Sequence, residues 1–378
     1  MQISSVFDSG NIEVIAAESP SQVRLAIRPD AGGNHYQWFH FRVTGARGQA
    51  LRLRIENAAK ASYPDGWVDY RACASYDRKH WFRVPTTYDG TALTIEHTPA
   101  HDSVYFAYFA PYSHERHAER IAHWQALPDV RLECVGRSVL GRDVDLLRIG
   151  EEGAGRRVAW IIARQHPGET MAEWFVEGLL DRLLDPHEPV ARALRERMTF
   201  FVVPNMNPDG STLGHLRNNA AGANLNREWA GPTEQRSPEV LGVRRRMEAT
   251  GVDFFLDVHG DEALPYNFIS GAEGIPSWSA AQERAQLVYG EALLAASPDF
   301  QTIEGYARSD PGKANMTMAT TWVAERFGCL AMTFEQPFKD TKDTPQPDGW
   351  SPPRARRLGH AQLDAIRAIL EHLPEARR

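Results

Sequence analysis

The stretch VAWIIAR at residues 158–164, followed at once by QHPGET at 165–170, decides the fold. Seven apolar-rich residues without polar alternation predict a strand that is buried on both faces. A helical pattern follows over 170–184. The same alternation recurs down the chain, with strands predicted at 198–203, 253–258 and 330–334 and helices at 236–250, 279–296, 314–327 and 354–373. It indicates an α/β domain with a mixed, mainly parallel sheet flanked by helices.

The part of the chain before this domain has a different pattern. Short runs with period-two alternation and many aromatic residues are separated by turn-forming Gly, Pro and Asp. Strands are predicted at 23–27, 36–43, 51–55, 81–84, 93–96 and 103–109. We therefore expect an N-terminal antiparallel β-sandwich domain over 1–113 and the α/β domain over 114–378. The histidines of the connecting segment, His114 and His117, are interpreted as solvated linker residues.

The composition excludes several functional classes. The chain has 378 residues, 42 Lys and Arg against 49 Asp and Glu, and a net charge of −7. This balance provides no bulk attraction for nucleic acid or an anionic membrane, so we expect neither partner. The three cysteines are widely spaced and indicate neither a disulfide framework nor a thiolate metal site. Without an N-terminal leader pattern or a long apolar run, the sequence predicts a soluble cytoplasmic protein; it indicates no oligomeric state.

Chemically active residues follow four of the predicted strands. His166 and Glu169 come after the first, Asn205 to Asp209 after the second, His259 after the third and Glu335 after the fourth. In open α/β sheets, ligands bind outside the carboxyl ends of the strands. A His-x-x-Glu pair alone is weak evidence, because chance produces about two such pairs here. Together with His259 at a neighbouring strand end, the pair predicts a zinc site on His166, Glu169 and His259.

These motifs occur in an order that resembles one family. The sequence carries HPGE at 166–169, NPDG at 207–210, an arginine seven residues later, NLNR at 224–227, DVHG at 257–260 and TFE at 333–335. It is similar to zinc metallocarboxypeptidases of the carboxypeptidase A type, and to the cytosolic carboxypeptidase branch in particular. That branch also has an N-terminal β-domain, which resembles the stretch here from YQWFHF at 36–41 to VYFAYFAPY at 104–112.

The resemblance implies one zinc ion as cofactor and a peptide or protein C-terminal tail as substrate. Glu335 would be the general base, and Arg217 would stabilise the oxyanion. Asn226 and Arg227 would receive the substrate's terminal carboxylate, a role suited to a planar guanidinium. Tyr306 is the nearest candidate for the tyrosine with which the family closes over substrate, at a larger spacing than expected. Arg308 and Lys313 are the basic residues nearest the expected side-chain pocket, and removal of glutamate is one alternative.

Two other functions stay open at this point. Zinc deacylases of small N-acyl amino acids share the His-x-x-Glu and distant His arrangement. A non-catalytic peptide-binding module is a third reading, although the candidate base and all three candidate ligands are present.

Overall fold

The computed structural model describes residues 1–153 and 155–377. Within its first 113 residues lie ten strands: β1 (Gln2–Ser4), β2 (Glu13–Ser19), β3 (Gln22–Ala26), β4 (His40–Thr44), β5 (Leu51–Ile55), β6 (Cys73–Ser75), β7 (Phe82–Arg83), β8 (Thr86–Tyr88), β9 (Leu93–His97) and β10 (Ser103–Ala107). They form two five-stranded sheets, in the orders β1-β4-β10-β6-β7 and β2-β3-β5-β9-β8. All neighbours are antiparallel except β3 and β5, which are parallel. The two sheets share one hydrophobic core, as the predicted sandwich requires.

The rest of the described chain alternates helices with the strands of a second sheet. Its helices are α1 (His114–Gln125), α2 (Met171–Leu183), α3 (Pro189–Arg197), α4 (Pro208–Leu213), α5 (Pro238–Thr250), α6 (Ala280–Ala296), α7 (Ala319–Phe327) and α8 (Pro352–Ile369). Its strands are β11 (Val130–Arg137), β12 (Asp143–Ile149), β13 (Arg157–Ala163), β14 (Met198–Val203), β15 (Phe254–Val258), β16 (Phe268–Ser270) and β17 (Leu330–Glu335).

This seven-stranded sheet has the order β11-β12-β14-β13-β15-β17-β16. The four central strands, β14, β13, β15 and β17, are parallel, while β11, β12 and β16 pair antiparallel at the margins. Successive residues of β13 enter different cores: Ile161 packs on the side of α2 and α8, and Ile162 on the side of α5 and α7. The predicted mixed α/β fold is thus confirmed, and the sheet is covered on both faces.

Helices α2 and α8 approach each other closely at two glycines. A Cβ atom on Gly178 would lie 2.1 Å from the carbonyl oxygen of Arg356, and one on Gly359 would lie 2.0 Å from that of Phe175. Only residues without a side chain allow this separation of the two backbones.

The interpretation of His117 as a solvated linker residue is wrong. Helix α1 packs against β11 and β12 within the α/β domain, so His117 is buried, with Nδ1 2.6 Å from Glu173 and Nε2 3.1 Å from Asp145. Burial alone would lower the pKa of His117, but these two carboxylates raise it to about 9. His114, by contrast, is exposed. The division between residues 113 and 114 stays a prediction.

None of the helices described here is both long enough and apolar enough to span a lipid bilayer.

Candidate functional site

The candidate site lies where three neighbouring parallel strands end. Ala163 of β13 pairs with Val258 of β15, and Val258 pairs with Phe334 of β17. Because these last residues lie in register, His166, His259 and Glu335 emerge at one edge of the sheet. The structure thus brings together the residues predicted from three separate motifs.

The loop that carries His166 and Glu169 is held by Arg164, which adopts a left-handed backbone conformation (φ 58°). The buried Arg164 guanidinium donates to the Pro167 carbonyl at 3.0 Å and to Glu173 at 2.6 Å. The Gly168 N–H donates to the carbonyl of Leu216 at 2.9 Å. These bonds fix the loop between β13 and α2 and place Glu169 beside the N-terminus of the helix.

His166, Glu169 and His259 converge on one point. The two carboxylate oxygens of Glu169 lie 2.7 Å from Nδ1 of His166 and 2.8 Å from Nδ1 of His259. The two Nδ1 atoms are 3.2 Å apart, and all three side chains are buried. Two imidazoles and one carboxylate are a ligand set of catalytic zinc sites.

The outward-facing ring nitrogens test whether the cluster suits a metal. Nε2 of His166 lies 3.0 Å from Asn224 Oδ1, and Nε2 of His259 lies 2.8 Å from Asp257 Oδ2. Both partners are oxygens that can accept a proton from Nε2, so that each Nδ1 would be free to present its lone pair to a metal at the centre. The residues therefore fit a divalent cation held by two Nδ1 atoms and Glu169.

The local charges favour a cation at this point. Burial and the positive charge of Arg217 lower the pKa of His166 to about 3, which keeps this imidazole in the neutral, ligating form. Burial alone would lower the pKa of His259, but Asp257 and Glu169 raise it well above its ordinary value. The centre thus stabilises positive charge between buried carboxylates.

Glu335, the last residue of β17, faces the same cavity. Its Oε1 lies 3.3 Å from the Tyr306 hydroxyl oxygen, and within the described chain its buried Oε2 has no hydrogen-bond partner. Burial raises the pKa of Glu335 well above its ordinary value. Tyr306 donates to Asp261 at 2.5 Å, so this tyrosine lies at the site despite its unexpected spacing.

The cavity beside the candidate metal ligands is lined by Asn226, Arg217 and Arg227. Asn226 is fixed by its Oδ1, which accepts from the Ala319 N–H at 2.9 Å, and its carbonyl accepts from the Arg227 guanidinium at 2.6 Å. Burial and the charge of Arg217 lower the pKa of Arg227, and both arginines line the same cavity. Two neighbouring cations of this kind suit an anionic ligand.

Arg308 and Lys313 do not line this cavity. The Arg308 side chain is 59% exposed and lies 3.6 Å from Glu273 and 3.5 Å from Glu283, and Lys313 is exposed. The structure therefore places neither of these predicted residues at the candidate site.

Sequence reasoning missed several residues of the site. Asp257 and Gln165 orient His259, since Gln165 donates to Asp257 at 2.7 Å and accepts from the Trp229 indole at 2.8 Å. The position of Asp257, two residues before His259 on one strand, puts both on the same face and was a usable signal. Tyr63 comes from the N-terminal domain and also lines the cavity. No local sequence pattern indicates that Tyr63 lies at the site.

The comparisons with known proteins agree with this geometry. The profile described as the cytosolic carboxypeptidase N-terminal domain matches residues 3–109, and that described as zinc carboxypeptidase matches residues 121–357. Cytosolic carboxypeptidase 6 of Mus musculus is 30% identical over 70% of this chain and 54% of its own length.

Two solved structures are similar over nearly the whole chain. A metallo-carboxypeptidase from Burkholderia cenocepacia is 51% identical, with a TM-score of 0.94 over 97% of this chain and 98% of its own. A metallo-carboxypeptidase from Pseudomonas aeruginosa, in complex with (2-guanidinoethylmercapto)succinic acid, is 46% identical, with a TM-score of 0.97 over 99% of this chain and 100% of its own. The chain belongs to the zinc carboxypeptidase family, with the N-terminal domain of the cytosolic carboxypeptidases, and is a metallocarboxypeptidase, a peptide hydrolase.

Proposed function

We propose that His166, Glu169 and His259 hold one zinc ion and that the enzyme removes the C-terminal residue of peptides or protein tails. The convergence of two Nδ1 atoms and a carboxylate, next to Glu335, carries this proposal. A bound zinc ion supplies Lewis-acid polarisation of the scissile carbonyl and makes a water easier to ionise. The remaining chemistry belongs to the side chains around it.

Glu335 acts as the general base and then as the general acid. It takes a proton from the attacking water as the water oxygen bonds to the carbonyl carbon. It returns that proton to the amine nitrogen as the C–N bond breaks, so the products are a shortened peptide and a free amino acid. Such proton transfer contributes about 10² to 10⁴ in rate. The partner-free Oε2 of Glu335, among the residues described, supports this role.

Asn226 and Arg227 bind the terminal carboxylate of the substrate, and Arg217 stabilises the oxygen that becomes negative in the transition state. The guanidinium groups of Arg217 and Arg227 donate charge-assisted hydrogen bonds in both roles. The P. aeruginosa relative binds a succinic acid derivative, a dicarboxylate, which supports recognition of carboxylate groups by this site.

The identity of the released residue depends on the walls of the cavity. The cavity has a volume of about 210 Å³, and its walls include Ser270, Met318 and Thr333 in addition to the charged residues above. Arg308 and Lys313 lie outside this cavity. Removal of glutamate therefore stays a prediction, and no basic side chain is assigned to bind the glutamate side chain. The names of the cytosolic relatives support the proposed cytoplasmic location.

The assignment of the base is tested with two variants. Glu335→Gln should keep zinc and lose turnover by at least about 10²-fold, because the amide cannot accept the proton. His259→Ala should lose both zinc and turnover. Glu283→Gln, an exposed carboxylate on α6, serves as the control and should be unchanged. A fully active Glu335→Gln enzyme would refute the proposed base.

The reaction is tested by measuring zinc content and turnover together. Peptides ending in Glu, Asp, Lys, Phe or Ala are incubated with and without a chelator, and released amino acids are quantified. Chelator-sensitive release of single C-terminal residues is expected. Cleavage of N-acyl amino acids with no release from any peptide would indicate the deacylase instead, and zinc binding with neither reaction would indicate the binding module.

A further inference from the structure

The segment that carries Arg217 is held by the N-terminal domain. Residues 214–218 follow α4 without regular secondary structure. The carboxylate of Asp30 accepts three consecutive backbone N–H groups of this segment, from Leu216 at 2.7 Å and from Arg217 and Asn218 at 2.8 Å each. Asp30 is only 2% exposed, so these bonds are shielded from water.

Further bonds from the same domain hold the start of the segment, and a bond within the segment connects its start to its end. Asn11 donates from Nδ2 to the carbonyl of Gly214 at 2.9 Å. The N–H of Ala31 donates to Nε2 of His215 at 3.0 Å, and Nδ1 of that imidazole lies 2.9 Å from the carbonyl of Asn218. The backbone around Arg217 thus has its position set by residues about 190 positions earlier in the chain.

Hydrogen bonds hold the backbone of Arg217, whereas its side chain packs against an aromatic ring. Its guanidinium carbon lies 5.5 Å from the centre of the Tyr63 ring, an arrangement that attracts a cation to the ring face. Within the described residues the guanidinium donates no hydrogen bond to the protein, although Tyr63 and Arg217 both line the cavity with Glu335. An anchored backbone and a guanidinium with free donors suit a group that binds a charge appearing during the reaction.

We infer that Asp30 and Tyr63 of the N-terminal domain are positioning residues for Arg217, so that this domain completes the active site. The inference rests on the proposed role of Arg217. A carboxylate that accepts three backbone N–H groups gives strong, directional bonds, and the ring restricts the guanidinium from one side. A displacement of about 1 Å at a catalytic group can cost about 10²-fold in rate.

The first test compares two aspartates of the N-terminal domain. Asp30→Asn replaces one acceptor oxygen by an NH₂ group that faces backbone donors, and kcat should fall about 10- to 100-fold with a smaller change in KM. Asp8→Asn is the matched control, since Asp8 also accepts a backbone N–H across the domain boundary, from His114 at 2.9 Å. It should leave kcat unchanged. An equal loss of kcat in both variants would overturn the inference.

The second test is a double-mutant cycle with Arg217→Lys. If Asp30 acts through Arg217, adding Asp30→Asn to Arg217→Lys should lower kcat by no more than about twofold, whereas independent effects would multiply. Multiplicative losses would therefore overturn the inference and leave the role of Arg217 standing. An Arg217→Lys enzyme with unchanged kcat would contradict that role itself.

Tyr63→Leu provides a second cycle that leaves the buried carboxylate in place. It should lower kcat in the native background and have little further effect in the Arg217→Lys background. Zinc content and thermal unfolding are measured for every variant, so that a loss of folded enzyme is not read as a loss of positioning. Full activity of folded Asp30→Asn and Tyr63→Leu enzymes would refute the inference.

Discussion

Each histidine of the candidate zinc site turns Nδ1 to the centre and Nε2 to an oxygen. For His259 this oxygen belongs to Asp257, whose own position is fixed by Gln165 and, through it, by the Trp229 indole. Trp229 lies two residues after Arg227, so the same chain of hydrogen bonds reaches the segment proposed to bind the substrate carboxylate. The proposed metal ligands and the proposed carboxylate-binding segment therefore share a buried support.

Asp257→Asn should weaken zinc binding by about 10- to 100-fold, the usual cost of losing a partner that orients a ligating histidine. The amide can present NH₂ to Nε2, and the imidazole then loses its preferred tautomer. Zinc affinity is measured by competition with a chromophoric chelator. Asp253→Asn, a buried aspartate just before the same strand, is the control and should keep the native affinity. Equal affinity of the Asp257→Asn and native enzymes would contradict the proposed support.

At the scale of elements, the crossing of α2 and α8 depends on two glycines. Gly178→Ala and Gly359→Ala should each lower the free energy of unfolding by about 1 to 3 kcal/mol, because the added methyl group meets a backbone carbonyl. The measurement is chemical denaturation of each variant.

Gly290→Ala in α6 is the matched control for this pair. A Cβ atom there would meet only a methyl group of Thr302, at 3.7 Å. This substitution should be neutral or stabilise by about 0.5 to 1 kcal/mol, since alanine favours the helix. Similar effects at all three glycines would show that the close crossing does not limit stability.

The elements of the α/β core were predictable because their patterns are continuous. Strand β14 matches its prediction at both ends, β13 is shifted by one residue at each end, and β15 begins one residue later than predicted. The start of α7 was wrong: the helix begins at Ala319, not at 314. Asn315 explains this, since its side chain accepts the N–H and the hydroxyl of Thr317 and so favours a turn over a helix. The marginal strands β11, β12 and β16 lacked a clear pattern and were missed.

At the scale of the whole molecule, the two domains share packing as well as the site. Phe338 stacks on Tyr108 with ring centres 4.4 Å apart, and its carbonyl accepts from Arg83 at 2.6 Å. The indole of Trp174 donates to the carbonyl of Ala110 at 3.1 Å. These contacts join residues far apart in sequence, so neither they nor the reach of Asp30 and Tyr63 to Arg217 could be predicted from local patterns.

Removal of zinc should abolish activity and leave the fold intact. Both cores of the large sheet are built from apolar side chains, and a chain of this size does not need a metal to fold. After chelation, the circular dichroism spectrum should keep its native shape. The unfolding temperature should fall by less than about 10 °C, because only the stability contributed by zinc binding is lost. A chelated chain that is unfolded at 25 °C would contradict this expectation.

The small volume of the candidate-site cavity, about 210 Å³, bears on which proteins the enzyme can process. A space of this size admits one terminal residue with its carboxylate, and the walls come from both domains. A chain end that is packed in a helix or strand must first leave its own fold before it can enter. If protein tails are substrates, as proposed, their trimming would depend on how far the last residues protrude as well as on which residues they are. The same terminal residue would be removed from an extended tail and spared on a docked one.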